Sequence, residues 1–218
     1  EKRTVTILMS DIRGFTALAD RTDATLVVGM LNNYLGVMVD IITRYNGTID
    51  EILGDAILVI FGAPIERSDD AARAAACSVE MQLAMEEVNA WNATQGLPDV
   101  EMGIGITTGV VVVGNIGSHT RTKYGVVGSP VNLAGRLEGH TVGGQVLISE
   151  ATRAAIGAPA QVGREISVAM KGFARPVTAW DLRGVGPPFN VQLPDNETVF
   201  APIPGAVYVI FATLKGKE

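Results

Sequence analysis

Between Gly47 and Gly62 the chain reads GTIDEILGDAILVIFG, two apolar runs either side of a Gly54-Asp55 pair. A β-hairpin suits this stretch best. Ile49, Glu51 and Leu53 fall on one face of a period-2 strand, Gly54-Asp55 supplies the tight turn, and Ala56 to Phe61 returns as an apolar, β-branched strand. Glu51 and Asp55 are carboxylates in apolar surroundings, where a charge requires a partner. Taken alone, Asp55 is equally readable as a turn residue bonding its own backbone, and Glu51 as a half-solvated strand-edge side chain. A second aspartate in the same setting shifts that balance. Thr4 to Ser10 reads as a strand, Asp11 closes it, and Arg13-Gly14-Phe15-Thr16 turns the chain into a helix. Two strand-end carboxylates beside a glycine-bearing helix start are a donor set suited to divalent metal and phosphate together.

The chain around this hairpin is long enough, at 218 residues, for one domain with an appended tail. With 47% hydrophobic and 18% charged residues it can bury a core, which argues against disorder. No uninterrupted apolar run reaches the roughly 18 residues of a membrane span, so a soluble, cytoplasmic domain without membrane contact is expected. The net charge of −6 argues against a nucleic-acid surface, while a local basic pocket for phosphates stays compatible. Cys77, the single cysteine, forms no internal disulfide, and His119 and His140 lack the companions of a zinc site. The chain opens on Glu-Lys-Arg with no signal-peptide pattern, as expected of a piece from a longer protein with upstream sensor domains.

Asp23 predicts an N-cap, and Leu31, Tyr34, Leu35, Met38, Ile42 and Tyr45 recur at helical spacing until Asn46-Gly47. Apolar residues on the other faces of this helix suit cover by a second chain as well as by its own sheet. Ser68-Asp69-Asp70 caps a second long helix that fades near Trp91. Val100 to Gly114 reads as one strand or two, interrupted by Gly103, Gly105 and Gly109, which mark bulges or a close approach of another backbone or a ligand. Arg121 to Val127 predicts a short strand, and Ser129-Pro130 opens a helix as N-cap and first-turn proline. In it Asn132 and Arg136, four apart, stack on one face; that face is either an exposed polar surface or a pair that orients a sugar and holds an anion. Val146 to Ile148 predicts a strand, Glu150 to Ile156 a helix, and Ile166 to Lys171 with Val177 to Leu182 a hairpin with Lys171 at its tip. Residues 1–184 are thus expected to form the domain, and the Pro- and Gly-rich 185–218 a tail or linker. The element order predicts an α+β, ferredoxin-like sheet of the split βαβ kind, with helices on one face and a partner or cleft on the other.

Three segments, Asp11-Ile-Arg-Gly-Phe-Thr16, Gly54-Asp-Ala-Ile-Leu-Val-Ile-Phe-Gly62 and Val131-Asn-Leu-Ala-Gly-Arg136, resemble in order and spacing the class III nucleotidyl cyclase catalytic domain, across roughly residues 4 to 183. The phrase RTKYGVVGSPVNLAGRLE looks especially like the cyanobacterial members, and the pattern is closest to a cyanobacterial guanylyl cyclase. The resemblance implies the nucleotidyl cyclase fold and a head-to-tail homodimer with two shared active sites. Each site would take metal ligands from one chain, and purine and transition-state residues from the other. It implies that Asp11 and Asp55, with the carbonyl of Ile12, hold two divalent ions, Mg²⁺ or Mn²⁺. The backbone of Arg13, Gly14, Phe15 and Thr16 would cradle the β- and γ-phosphates. Asn132 would orient the ribose, Arg136 stabilise the transition state and Lys171 reach the triphosphate.

Glu51, four positions before Asp55, stands where the family reads the base, with lysine in typical adenylyl cyclases and glutamate in guanylyl cyclases. Guanine offers N1–H and a 2-amino group to a carboxylate, whereas adenine N1 is an acceptor and would face its lone pairs. Gly125, seven before Asn132, is the second base-reading position, and glycine fits neither class of member. The implied activity is conversion of GTP to 3′,5′-cyclic GMP and pyrophosphate. The alternatives are the same reaction on ATP and a catalytically silent, cyclase-like regulatory dimer; the retention of Asp11, Asp55 and Arg136 argues against the last.

Overall fold

A computed structural model describes residues 1–118, 120, 122–169, 176–194 and 206–207. The first strand, β1 (Lys2–Ile12), leads through the short α1 (Phe15–Ala19) to α2 (Ala24–Arg44), and the hairpin β2 (Thr48–Leu53) and β3 (Ala56–Phe61) follows. Next come α3 (Asp70–Leu83), α4 (Met85–Thr94) and the long β4 (Met102–Gly117). These strands take the order β4-β1-β3-β2, antiparallel throughout, which is the split βαβ arrangement. Past β4 come β5 (Thr122–Val127), α5 (Ser129–Gly139), β6 (Val146–Ser149), α6 (Glu150–Ile156) and the pair β7 (Ala160–Val168) and β8 (Val177–Val185). They extend the sheet through a parallel β4–β6 contact, while β5 folds back on the far end of β4.

Strand alternation gives the sheet two apolar faces. Leu8, Ile57, Val59, Phe61, Met102 and Ile104 point to one, where Met30, Tyr34, Met38 and Ile42 of α2 and Ala74 to Val79 of α3 cover them. Val5, Ile7 and Ile60 point to the other and meet Ala134 of α5. The expectation of helices on one face is therefore corrected: α1 to α4 and α6 share a face, and α5 crosses the opposite one. Glycine permits this. A Cβ on Gly105 would lie 2.4 Å from the Ala134 carbonyl oxygen and from the Glu138 nitrogen, and one on Gly109 2.8 Å from Pro130 Cγ. At Gly105 the approaching backbone is that of α5, whereas Gly109 meets the Pro130 ring and Gly103 the Thr141 side chain, and β4 is one strand.

Several local readings shift. Asp23 caps α2, accepting from the Thr25 amide at 2.9 Å, as its position predicts. The second helix breaks at Ala84 into α3 and α4, and Asp69 at its start makes no side-chain cap. Asp69 instead binds Nε of the buried Arg73 at 2.9 Å, and that guanidinium also donates to the Tyr45 carbonyl at 2.6 Å. The cap of α5 is Gly128, one residue before Ser129. Helix α2 has the length and apolar composition of a membrane span, which counting uninterrupted apolar residues passes over, but its stripe from Met30 to Ile42 packs on the sheet.

Of the segment expected as a tail, residues 185–194 lie on the domain. β9 (Val191–Gln192) pairs with β8, Leu193 is buried in the main core, and Phe189 meets Tyr45 with ring centroids 6.1 Å apart. β10 (Ala206–Val207) pairs with β7. Lys171 lies outside the described residues.

Candidate active site

The register of β1 on β3 sets Ser10 opposite Ile57, so the two strand ends carry Asp11 and Asp55 to the same place. Gly54, at φ 64°, makes the turn that presents Asp55. Asp55 Oδ2 accepts from the Ile12 amide at 3.1 Å, and its carboxyl stands within hydrogen-bonding reach of Asp11. Burial and then the neighbouring Asp11 push the Asp55 pKa up to about 7, against the pull of the Ile12 and Asp55 amides. Beneath them the fully buried Tyr34 hydroxyl donates to Met102 Sδ at 3.3 Å, and burial raises its pKa.

No group of three acids, histidines or cysteines that could hold a metal occurs among the described residues. Two apposed carboxylates, one with its pKa raised by burial and by the other, are nonetheless a fitting donor pair for a hard dication. Mg²⁺ commonly takes one or two protein carboxylates and fills its remaining positions with phosphate oxygens and water.

Next to the pair, Gly14 at φ 68° starts α1 without a side-chain cap, leaving the first amides of that helix to other acceptors. Arg13 departs from its expected part in the cradle. Its amide donates to the Glu101 carbonyl at 2.7 Å, and its guanidinium pairs with the buried Glu138 of α5. Arg13 thereby ties the start of α1 to α5.

Glu51 and Gly125 also come together, by a route the alternation pattern hides. A β-bulge falls between Ile49 and Glu51, so Glu51 leaves the face of Ile49 and is exposed. The bulge turns Asp50 inward, its side chain only 5% exposed. A Cβ on Gly125 would sit 3.0 Å from Asp50 Oδ1. Lys123 Nζ lies 3.3 Å from Asp50 Oδ2 and 3.4 Å from Glu51 Oε2. Neither Asp50 nor Lys123 figures among the sequence candidates; Lys123, two before Gly125 on a strand, shares its face and was the available signal. On α5, Asn132 is exposed and Arg136 half-buried, on one helical face as their spacing predicts.

The site thus has two parts: a carboxylate pair beside a helix start, and an acidic strand edge facing β5. The pattern of the adenylate and guanylate cyclase catalytic domain matches residues 1–183. The chain belongs to that family. Among solved structures, the guanylyl cyclase Cya2 is 54% identical, with 89% of this chain and 98% of that one covered and a TM-score of 0.87. The adenylyl cyclase CyaB from P. aeruginosa is 37% identical, with coverage of 84% and 94% and a TM-score of 0.81. An adenylate cyclase of Anabaena cylindrica is 33% identical over 190 residues, which are 83% of this chain and 37% of the relative. An uncharacterized protein of Mycobacterium tuberculosis is 41% identical over 139 residues, 63% of this chain; the chain spans 24% of that relative. This cyclase domain therefore has both guanylyl and adenylyl cyclases among its neighbours, on one mixed α+β fold.

Proposed function

We propose that this cyclase domain converts GTP to 3′,5′-cyclic GMP and pyrophosphate as a homodimer with two shared sites. The observation that carries the choice of purine is Glu51, exposed at the bulge beside the side-chain-free Gly125. Ionised, it accepts from N1–H and the 2-amino group of guanine together. Adenine would set its N1 lone pair against that carboxylate, and such mismatches are rejected by factors on the order of 10⁴. The 54% identity to a guanylyl cyclase supports the same reading.

Asp11 and Asp55, with the Ile12 carbonyl, would hold two divalent ions, Mg²⁺ or Mn²⁺. When bound, such ions lower the pKa of the ribose 3′-hydroxyl and neutralise the triphosphate. The amides of Gly14, Phe15 and Thr16 bind the β- and γ-phosphates at the start of α1. Asn132 orients the ribose so that its 3′-oxygen lies in line with the α-phosphorus. Arg136 places a planar, permanently charged fork where negative charge gathers in the transition state, a role a lysine fills less well. Lys171 would reach the triphosphate. Homodimer assembly is supported by apolar side chains left in water around this part of the molecule: Leu53 at 60%, Val110 at 61% and Val127 at 59% exposure.

Turnover of GTP and ATP side by side, with Mg²⁺ and with Mn²⁺, tests the reading. GTP is expected to be preferred in kcat/KM, and equal or faster production of cyclic AMP would transfer the assignment to ATP.

A further inference from the structure

We propose that the Arg13–Glu138 ion pair couples the two active sites of the dimer, with both residues acting as positioning groups. The inference rests on the shared-site reading above and adds the route by which one site feels the other. Under that reading α1 brings its amides to one site, whereas α5 of the same chain brings Asn132 and Arg136 to the second. A contact inside one chain between α1 and α5 is then a contact between sites.

Arg13 stands two residues after Asp11 and one before Gly14, where α1 starts. Its backbone is pinned, since its amide donates to the Glu101 carbonyl at 2.7 Å. Its guanidinium reaches α5 and meets Glu138 of the last turn, a residue 7% exposed. Glu138 Oε1 takes no hydrogen bond from any other described residue, and the buried Nε of Arg13 donates none. The two charges therefore depend on each other. Moving one without the other would strand a buried carboxylate, which is costly, so the end of α5 follows the start of α1.

The way β4 makes room for this link is a second, independent observation. A Cβ on Gly103 would lie 3.1 Å from Arg13 Cζ and would run into Thr141 Oγ1, so the strand gives up a side chain where the guanidinium passes. Thr141 in turn donates to the Glu138 carbonyl at 2.6 Å and closes the end of α5. At Gly105 the Glu138 backbone lies directly on the strand, a Cβ there standing 2.4 Å from its nitrogen. The last turn of α5 is thus gripped by β4 and by Arg13, and Asn132 and Arg136 belong to the same 11-residue helix. A helix this short moves as one body, so a shift at Glu138 is passed to Arg136. Packed, charge-paired elements of this kind carry coupling between sites. A nucleotide that orders α1 in one site should thereby settle α5 in the other.

The test uses mixed dimers of an Asp55→Ala chain with an Arg136→Ala chain. Their one intact site takes its metal ligands and α1 from the Arg136→Ala chain and its α5 from the Asp55→Ala chain. Glu138→Gln is added to the Arg136→Ala chain alone, whose α5 lies outside the intact site. It should raise KM for GTP by about fivefold or more, the low end of coupling between sites, with kcat held. Damage to folding alone would lower the number of active dimers and leave KM unmoved. Arg13→Met, added to the Asp55→Ala chain alone, whose α1 lies outside, should lower kcat by a similar factor with KM held, and Arg13→Lys should restore most of it. Inorganic pyrophosphate with Mn²⁺ meets α1 but no part of α5, and calorimetry should find it about fivefold weaker on otherwise wild-type E138Q, a readout apart from turnover. Should E138Q not fold, Glu138→Asp, which keeps the charge on a shorter arm, takes its place with the same direction expected. An unchanged KM in the mixed dimer overturns the coupling, as does an unchanged pyrophosphate affinity, while the shared sites stand. If the parent chains recover no activity on mixing, the shared-site reading falls and the coupling with it.

Discussion

Asp55 Oδ2 accepts the Ile12 amide at 3.1 Å while its carboxyl faces that of Asp11, so the hairpin turn and the end of the first strand hold two acids in contact. Burial, and then the like charge of Asp11 beside it, let the folded protein hold a proton on Asp55 up to pH about 7. The unfolded chain releases the same proton near 3.8. Stability from this group is therefore fully present below 3.8 and is lost as pH rises through about 7. In metal-free buffer Asp55→Asn should raise the melting temperature at pH 8, by a few degrees, and change little at pH 4. Thermal denaturation at the two pH values checks it. An unchanged difference between them would remove the repulsion.

Divalent metal should reverse that balance. Millimolar Mn²⁺ at pH 8 should raise the wild-type melting temperature and leave Asp55→Ala unmoved, because binding to the folded state alone stabilises it. Affinity should strengthen from pH 6 to pH 8 as the shared proton leaves. Calorimetric titration of the metal at both pH values measures this directly.

Asp55→Ala and Arg136→Ala should each remove cyclase activity by on the order of 10³ or more. Mixing the two inactive chains should recover about a quarter of wild-type activity, since half of the dimers are mixed and each has one intact site. Recovery is read as cyclic GMP per total protein. Absence of any recovery would place each site within one chain.

Glu51→Lys should lower the GTP to ATP ratio in kcat/KM by about 10² or more, because the new ammonium faces N1–H of guanine but can donate to N1 of adenine. The neighbouring Lys123, which loses one of its two carboxylates, should make the variant less active overall. Paired rates on both nucleotides decide the outcome.

Gly105→Ala should cost about 1–3 kcal/mol, the range of overpacking, since its Cβ would meet the backbone of α5 at 2.4 Å. It should also depress turnover, because α5 carries Asn132 and Arg136. Urea unfolding gives the first effect and cyclic GMP formation the second. A variant as stable as the wild type would mean that α5 does not rest on β4.

Local sequence decided a great deal here. The Gly54-Asp55 turn, the Asp23 cap, the helical stripe from Met30 to Ile42 and the i, i+4 pair on α5 depend on neighbours a few residues away, so their spacing is enough to place them. The apposition of Asp11 with Asp55 needed one further step, the pairing of β1 with β3, which the two strand patterns imply once the sheet is assumed. Tertiary structure alone decided the rest. Only the register of β2 on β3 reveals the bulge that turns Asp50 inward and Glu51 outward, since a slip of one residue exchanges the two faces of a strand. Only the packing of α5 over Gly105 shows that the sheet has a helix on each side. The meeting of Asp50 and Lys123, 73 residues apart in the chain, is a property of neither segment; a charge pair across two strands exists when the sheet has fixed their distance.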